Sequence, residues 1–115
     1  EGLAEYITLL YSPLEENSES GELWYDQAAS QQILARVGEI DLLVVDGPKS
    51  NAPLSRMPAL PIFITKLNSK SLIVLDDSKR DNEQQVLRSW GERFNLEIEQ
   101  KKDSLRGQTY IRIVE

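Results

Sequence analysis

Two short apolar runs, each ended by aspartate, constrain the fold of this chain more than any other feature. The first is Ile40–Val45 (IDLLVV), which stops at Asp46, and the second is Ser71–Leu75 (SLIVL), which stops at Asp76 and Asp77. Nearly continuous apolar runs are typical of parallel strands covered on both faces, whereas half-exposed strands alternate. The runs therefore predict two central, parallel strands with acidic carboxyl ends.

The segments around these runs alternate between strand and helix patterns. The predicted order is strand Tyr6–Tyr11, helix Asp26–Val37, strand Ile40–Val45, helix Met57–Leu67, strand Ser71–Leu75, helix Arg80–Phe94, strand Leu96–Gln100 and strand Tyr110–Val114. The polar segment Glu15–Gly21 is predicted to be a loop, and the last two strands to form an antiparallel pair. This order predicts an α/β fold with a doubly wound, mostly parallel sheet, in a single domain over residues 1–115.

Composition excludes several kinds of chemistry. The 115 residues include no cysteine and no histidine, so a catalytic base must be Asp, Glu, Lys or Tyr and a metal site must use oxygen ligands. The net charge is −6 with scattered basic residues, which argues against a nucleic-acid partner. No apolar run approaches the ~18 residues of a membrane helix. We therefore expect no membrane partner and a cytoplasmic location.

The acidic strand ends are the first candidate site. Ligands of open α/β sheets bind outside the carboxyl ends of the strands, and neighbouring strands lie only about 5 Å apart. Asp46, Asp76 and Asp77 are therefore expected to converge on one ligand, and their oxygens suit Mg²⁺. The alternative is that these residues only form turns or cap the following helices.

Several other side chains are candidates with equally open alternatives. Lys49, three residues after Asp46, is either a base or a solvated loop residue. Arg56 and Arg80 with Glu83 either clamp an anion or form structural ion pairs. The segment Trp24–Asp26 closes the first loop, where its rings either stack on a flat ligand such as adenine or pack in the core.

A set of short motifs gives the chain a resemblance to a known family. The motifs are Ser12-Pro13-Leu14, Gly21-Glu22-Leu23-Trp24-Tyr25-Asp26, Ile40–Pro48 (IDLLVVDGP), Arg56–Pro61 (RMPALP), Leu75-Asp76-Asp77, Arg80, Glu83 and Trp90. In order and spacing they resemble the Rossmann-like class of S-adenosylmethionine-dependent methyltransferases. The resemblance implies a seven-stranded sheet whose last strand is antiparallel and inserted beside the fifth, with this chain supplying strands three to seven.

The resemblance also implies a function for a longer parent protein. That function is methyl transfer from S-adenosylmethionine to a small-molecule or glycan-type acceptor, with this chain as the C-terminal, acceptor-side part. The implied roles are cofactor contacts for Trp24, Tyr25 and Asp46, Mg²⁺ ligation by Asp46, Asp76 and Asp77, proton transfer by Lys49 with Asp46, and substrate binding by Arg56 and Arg80. The family's glycine-rich cofactor turn is not in this sequence, so the isolated chain is expected to be inactive.

Two other functions remain open at this point. One is a non-catalytic interaction domain that keeps the fold without the cofactor half. The other is a phosphoacceptor receiver-like domain, which would require a circular permutation because the acid pair follows Asp46. The resemblance itself places the first two strands outside this sequence, so that Ile40–Val45 would lose its neighbour, and we expect either Tyr6–Tyr11 or a second copy of the chain to pair with it.

Overall fold

The computed structural model describes residues 6–18, 20–49, 52–101 and 107–115. The described chain forms six strands and three α-helices. Their bounds are β1 Leu14–Glu16, β2 Leu23–Tyr25, α1 Gln27–Arg36, β3 Leu42–Val45, α2 Ala59–Phe63, β4 Leu72–Asp76, α3 Asp81–Arg93, β5 Leu96–Lys101 and β6 Gln108–Ile113, and a 3-10 turn, Ile64–Lys66, extends α2. The α/β class is therefore confirmed, as a small domain with a mixed sheet.

The main sheet has four strands in the order β3-β4-β6-β5. β3 and β4 are parallel, but β6 is antiparallel to both β4 and β5. The predicted antiparallel pairing of the last two strands is confirmed, whereas the prediction of a mostly parallel sheet is wrong. The reason is the position of β6: because the reversed strand is inserted between β4 and β5, it makes two of the three pairings antiparallel.

One face of the sheet carries the core. Strand register places Leu43 beside Ile73 and Val45 beside Leu75, so these side chains share a face. Apolar residues of α2 and α3 pack into the same buried cluster, whose fully or nearly fully buried members include Leu60, Ile73, Leu75, Val86, Leu87, Trp90 and Ile111. α3 presents its apolar residues at helical spacing and keeps its charges mostly outward, as its sequence predicts.

The other face of β3 is uncovered, which corrects the prediction of a central strand covered on both faces. Leu42 and Val44 are 56% and 55% exposed, and β3 is the edge strand of its sheet. Tyr6–Tyr11, predicted to be a strand, has no regular strand structure and does not pair with β3. The β-rich composition of this segment did not by itself make it a strand, because β propensity depends on the packing that a sheet provides.

A separate two-stranded sheet flanks the predicted loop Glu15–Gly21, of which Glu15 and Glu16 belong to β1. β1 and β2 pair antiparallel on either side of residues 17–22, and Gly21 closes their turn with a φ of +71°, a conformation that glycine adopts at low cost. The three predicted helices are present, but the second is shorter than Met57–Leu67 because α2 ends at Phe63 and continues only as the 3-10 turn.

Candidate functional site

Three carboxylates meet at the carboxyl ends of β3 and β4. Val45 and Leu75 are register partners, so Asp46, which follows Val45, lies beside Asp76, the last residue of β4. One carboxylate oxygen from each of Asp46, Asp76 and Asp77 lies within 4.8 Å of the others. The convergence of carboxylates that the two apolar runs predict is therefore present, and the binding of a metal ion by these oxygens remains a prediction.

Asp77 reaches this position through an unusual backbone conformation. Its φ is +54°, in the left-handed region that aspartate tolerates better than most residues but at some cost. The turn that follows is held by hydrogen bonds from the backbone N–H of Ser78 to Gly107 O (3.2 Å) and from Arg80 N–H to Asp77 O (3.3 Å). The left-handed residue thus directs the chain from β4 into α3 while its carboxylate stays with the other two.

Arg56 is buried beneath the carboxylate cluster and contacts two of its residues, Asp76 and Asp77. Its side chain is only 2% exposed; Nη1 donates a 2.9 Å hydrogen bond to the backbone carbonyl of Asp76, and Nη2 lies 4.0 Å from Asp77 Oδ2. This guanidinium therefore compensates part of the negative charge from inside the protein. Its burial leaves little surface for an external anion, and the predicted substrate contact of Arg56 has no support in this arrangement.

Glu83 is a second buried charge in the same region. Its side chain is 1% exposed, and Arg80 Nε lies 2.7 Å from Oε1 without hydrogen-bond geometry. Burial raises the pKa of Glu83; the positive charges of Arg80 and Arg56 oppose that rise, and the negative charge of Asp77 adds to it. The Arg80–Glu83 contact is the ion pair that the sequence left open, while Arg80 itself remains partly exposed.

Lys49 lies on the turn after β3 and is exposed. Within the described part of the chain, no carboxylate is within ion-pair distance of its ammonium group. Its neighbours Ser50 and Asn51 lie outside the described residues. Lys49 therefore lies at the same end of β3 as Asp46, but it does not form an ion pair with the three carboxylates.

Trp24 and Tyr25 line a cleft of about 400 Å³ beside β3. Trp24 is buried and meets the Tyr25 ring edge-on at 5.1 Å. The hydroxyl of Tyr25 lies over Gly47, where a Cβ atom would overlap it, so the first loop contacts the turn that carries Asp46. Asp26 precedes α1 but does not cap it with its side chain; its carboxylate accepts a hydrogen bond from the Ser12 hydroxyl.

The carboxylates form a donor set that suits a hard cation. One carboxylate oxygen of each residue lies within 4.8 Å of the others, and carboxylate oxygens are among the ligands that Mg²⁺ and Ca²⁺ take in proteins. The Arg56 guanidinium lies 4.0 Å from Asp77 and would compete with a metal ion for that carboxylate. Sequence reasoning left Arg56 and Glu83 open as an anion clamp or as members of a structural ion pair, and it did not predict that both side chains are buried.

Comparisons with protein-family models, with curated proteins and with solved structures found no match to this chain. Among the described residues, no helix is long and apolar enough to cross a membrane.

Proposed function

We propose that this chain forms the acceptor-side part of a Rossmann-like methyltransferase that uses S-adenosylmethionine. The observation that carries the proposal is the strand order β3-β4-β6-β5 with β6 reversed between β4 and β5. The resemblance of the sequence implies a reversed last strand beside the fifth strand, and β4 takes the place of that fifth strand. The proposal therefore has support from the topology as well as from the motifs.

The acidic strand ends supply the proposed acceptor site. Asp46, Asp76 and Asp77 would hold Mg²⁺, which when bound lowers the pKa of an acceptor hydroxyl. Lys49 follows the same strand as Asp46, and we assign it the role of accepting the hydroxyl proton of the acceptor. Arg80, which is partly exposed, is the better placed of the two arginines to contact the acceptor.

The cofactor would need residues from a longer parent. The chain has no glycine-rich turn of the form G-x-G-x-G, although Trp24 and Tyr25 beside the Asp46 turn offer aromatic surface for the adenine ring. We therefore expect the isolated chain to bind a divalent cation but to lack methyl transfer.

Calorimetric titration tests the two parts separately. The chain should bind Mg²⁺ with an affinity that Asp46→Asn lowers at least tenfold, whereas the control Asp41→Asn, at the opposite end of β3, should leave it unchanged. A longer parent carrying the residues upstream of Glu1 should bind S-adenosylmethionine. If the parent binds no S-adenosylmethionine, the methyltransferase proposal is wrong; binding of a phosphate mimic at Asp46 would instead favour the receiver-like alternative, and binding of neither would favour an interaction domain.

A further inference from the structure

The side chain of Trp24 carries a buried donor without a protein acceptor. Trp24 is only 4% exposed, and its indole N–H has no hydrogen-bond partner among the described residues. The other tryptophan, Trp90, is also buried, but its indole N–H donates to the backbone carbonyl of Met57 at 2.8 Å. Because buried donors are nearly always paired, the indole N–H of Trp24 favours an acceptor that a ligand supplies.

Trp24 lines two clefts, through either of which a ligand reaches its side chain. One is the 400 Å³ cleft beside β3, and the other has a volume of about 420 Å³ and lies between the β1–β2 hairpin and α1. We call the second one the hairpin cleft. Its volume falls within the range of small-ligand pockets, roughly 300–1,000 Å³. No residue of β3 lines it among the described residues, so its opening does not depend on what covers that strand.

Acidic and uncharged polar side chains line the hairpin cleft. Glu15 is the register partner of Trp24, so the two side chains lie on the same face of the hairpin. Gln27, Ser30 and Gln31 of α1 also line the cleft, and their spacing of three and four residues places them on one helix face. The described lining contains no lysine or arginine, which argues against a phosphate or another anion as the ligand.

The donors and acceptors of this lining select a class of ligand. The carboxylate of Glu15 accepts hydrogen bonds, whereas the indole N–H of Trp24 donates one. An organic cation would satisfy Glu15 but would offer no acceptor to Trp24. A hydroxyl group both donates and accepts, and the ring of Tyr25, which is 38% exposed and lines the cleft, offers an apolar surface to a ring that stacks on it. A polyhydroxylated ring therefore matches the lining better than a cation or an anion.

We propose that the hairpin cleft binds a neutral saccharide, one of whose oxygens accepts the indole N–H of Trp24 while a hydroxyl donates to Glu15. Tyr25 lines this cleft, and its hydroxyl lies over Gly47, the residue after Asp46. One side chain thus connects the bound sugar to the turn that carries the carboxylate cluster. A glycan held in the hairpin cleft would extend its next residue toward Asp46 as the methyl acceptor. This last role rests on the proposed methyl transfer, whereas saccharide binding does not.

Nitrogen–proton correlation NMR tests saccharide binding on this chain. The two tryptophans give two indole N–H signals, which Trp24→Phe assigns, and the Trp90 signal is an internal control. Glucose, galactose and N-acetylglucosamine are titrated separately to roughly 50 mM, above the millimolar dissociation constant expected of one sugar ring in an open cleft. At least one sugar should shift the Trp24 signal to saturation and leave the Trp90 signal unchanged.

Two variants and one competing ligand decide the outcome. Glu15→Gln should weaken the sugar at least about threefold, because a charged acceptor forms the stronger hydrogen bond, whereas Glu92→Gln, exposed on α3, should leave the affinity unchanged. The proposal is overturned if no sugar shifts the Trp24 signal, if Glu15→Gln leaves the affinity unchanged, or if adenosine alone shifts the signal, which would assign the indole N–H to the cofactor. If sugar binds but the longer parent binds no S-adenosylmethionine, only the acceptor role is lost.

Discussion

Replacing Arg56 with methionine tests whether the buried charges behind the acidic strand ends stabilise the fold. The change keeps most of the side-chain length and removes the guanidinium. The backbone carbonyl of Asp76 then loses its 2.9 Å hydrogen bond, and the buried carboxylate of Glu83 loses one of the two cations that lower its pKa. The three-carboxylate cluster also loses its resident counter-charge.

The expected cost follows from these losses. A hydrogen bond from a charged donor contributes about 1.5–3 kcal/mol, and the loss of a nearby positive charge adds to the cost of keeping the Glu83 carboxylate buried. Asp77 lies 4.0 Å away and is partly solvated, so its own loss is small. We therefore expect Arg56→Met to lower the free energy of unfolding by about 3–4 kcal/mol, a large part of the 5–15 kcal/mol typical of a small domain.

Urea unfolding monitored by circular dichroism measures this change, with exposed Arg36→Met as the control, expected within about 0.5 kcal/mol of the unmodified chain. The double variant Arg56→Met/Glu83→Gln should be at least about 1 kcal/mol more stable than the sum of the two single effects predicts, since the uncompensated carboxylate is gone. A cost of Arg56→Met below about 1 kcal/mol, or strictly additive effects, would refute the role assigned to Arg56.

Three further changes test separate parts of the structure. Burial raises the folded-state pKa of Glu83 above 4.5, so the protonated Glu83 stabilises the fold below pH 4.5, and this stabilisation is lost as the pH rises through the folded-state pKa. Glutamine does not titrate, so urea titrations should show the stability of Glu83→Gln rising relative to that of the unmodified chain between about pH 4 and pH 7. Trp90→Phe should cost about 2–3 kcal/mol because Nε1 donates to Met57 O at 2.8 Å, and Trp24→Phe should cost less, since its Nε1 has no hydrogen-bond partner among the described residues. Gly107→Ala should lower the melting temperature by several degrees, at a cost of about 1–3 kcal/mol, because its φ is +80°.

The acidic cluster was predictable because it depends on local pattern and one topological rule. Each apolar run shows where its strand ends, and parallel pairing of consecutive strands brings those ends together; the structure follows both steps for Asp46 and Asp76. The neighbours of a strand are harder to predict. The apolar sequence of β3 indicates that both faces avoid water, but it does not indicate which chain covers them, and in this structure Leu42 and Val44 remain exposed.

The buried charges were not predictable for a related reason. Arg56 and Glu83 are separated by 26 intervening residues, and the stability of a buried charge depends on groups that only the folded chain brings near. The alternating patterns of the last two strands do not by themselves place β6 between β4 and β5; only the family resemblance of the motifs implied a reversed strand at that position.

Asp77 combines two unfavourable features, which makes it the most informative residue of the cluster. It holds a left-handed backbone, and it adds a third carboxylate to two others. Conformational and charge costs of this kind often coincide at functional sites. Asp77→Asn keeps a residue that tolerates the left-handed region but removes the charge, so it isolates the electrostatic cost.

Without divalent cations, Asp77→Asn should stabilise the chain by about 0.5–1 kcal/mol, because the loss of carboxylate repulsion exceeds the weak 4.0 Å contact with Arg56. Adding 10 mM Mg²⁺ should reverse the order, since the cation binds the folded, three-carboxylate chain more tightly than the variant. Melting curves with and without Mg²⁺ measure both effects. If Asp77→Asn destabilises the chain in the absence of Mg²⁺, Asp77 is held mainly by Arg56 and the cluster is a structural charge network; if the order does not depend on Mg²⁺, the carboxylates do not form a cation site.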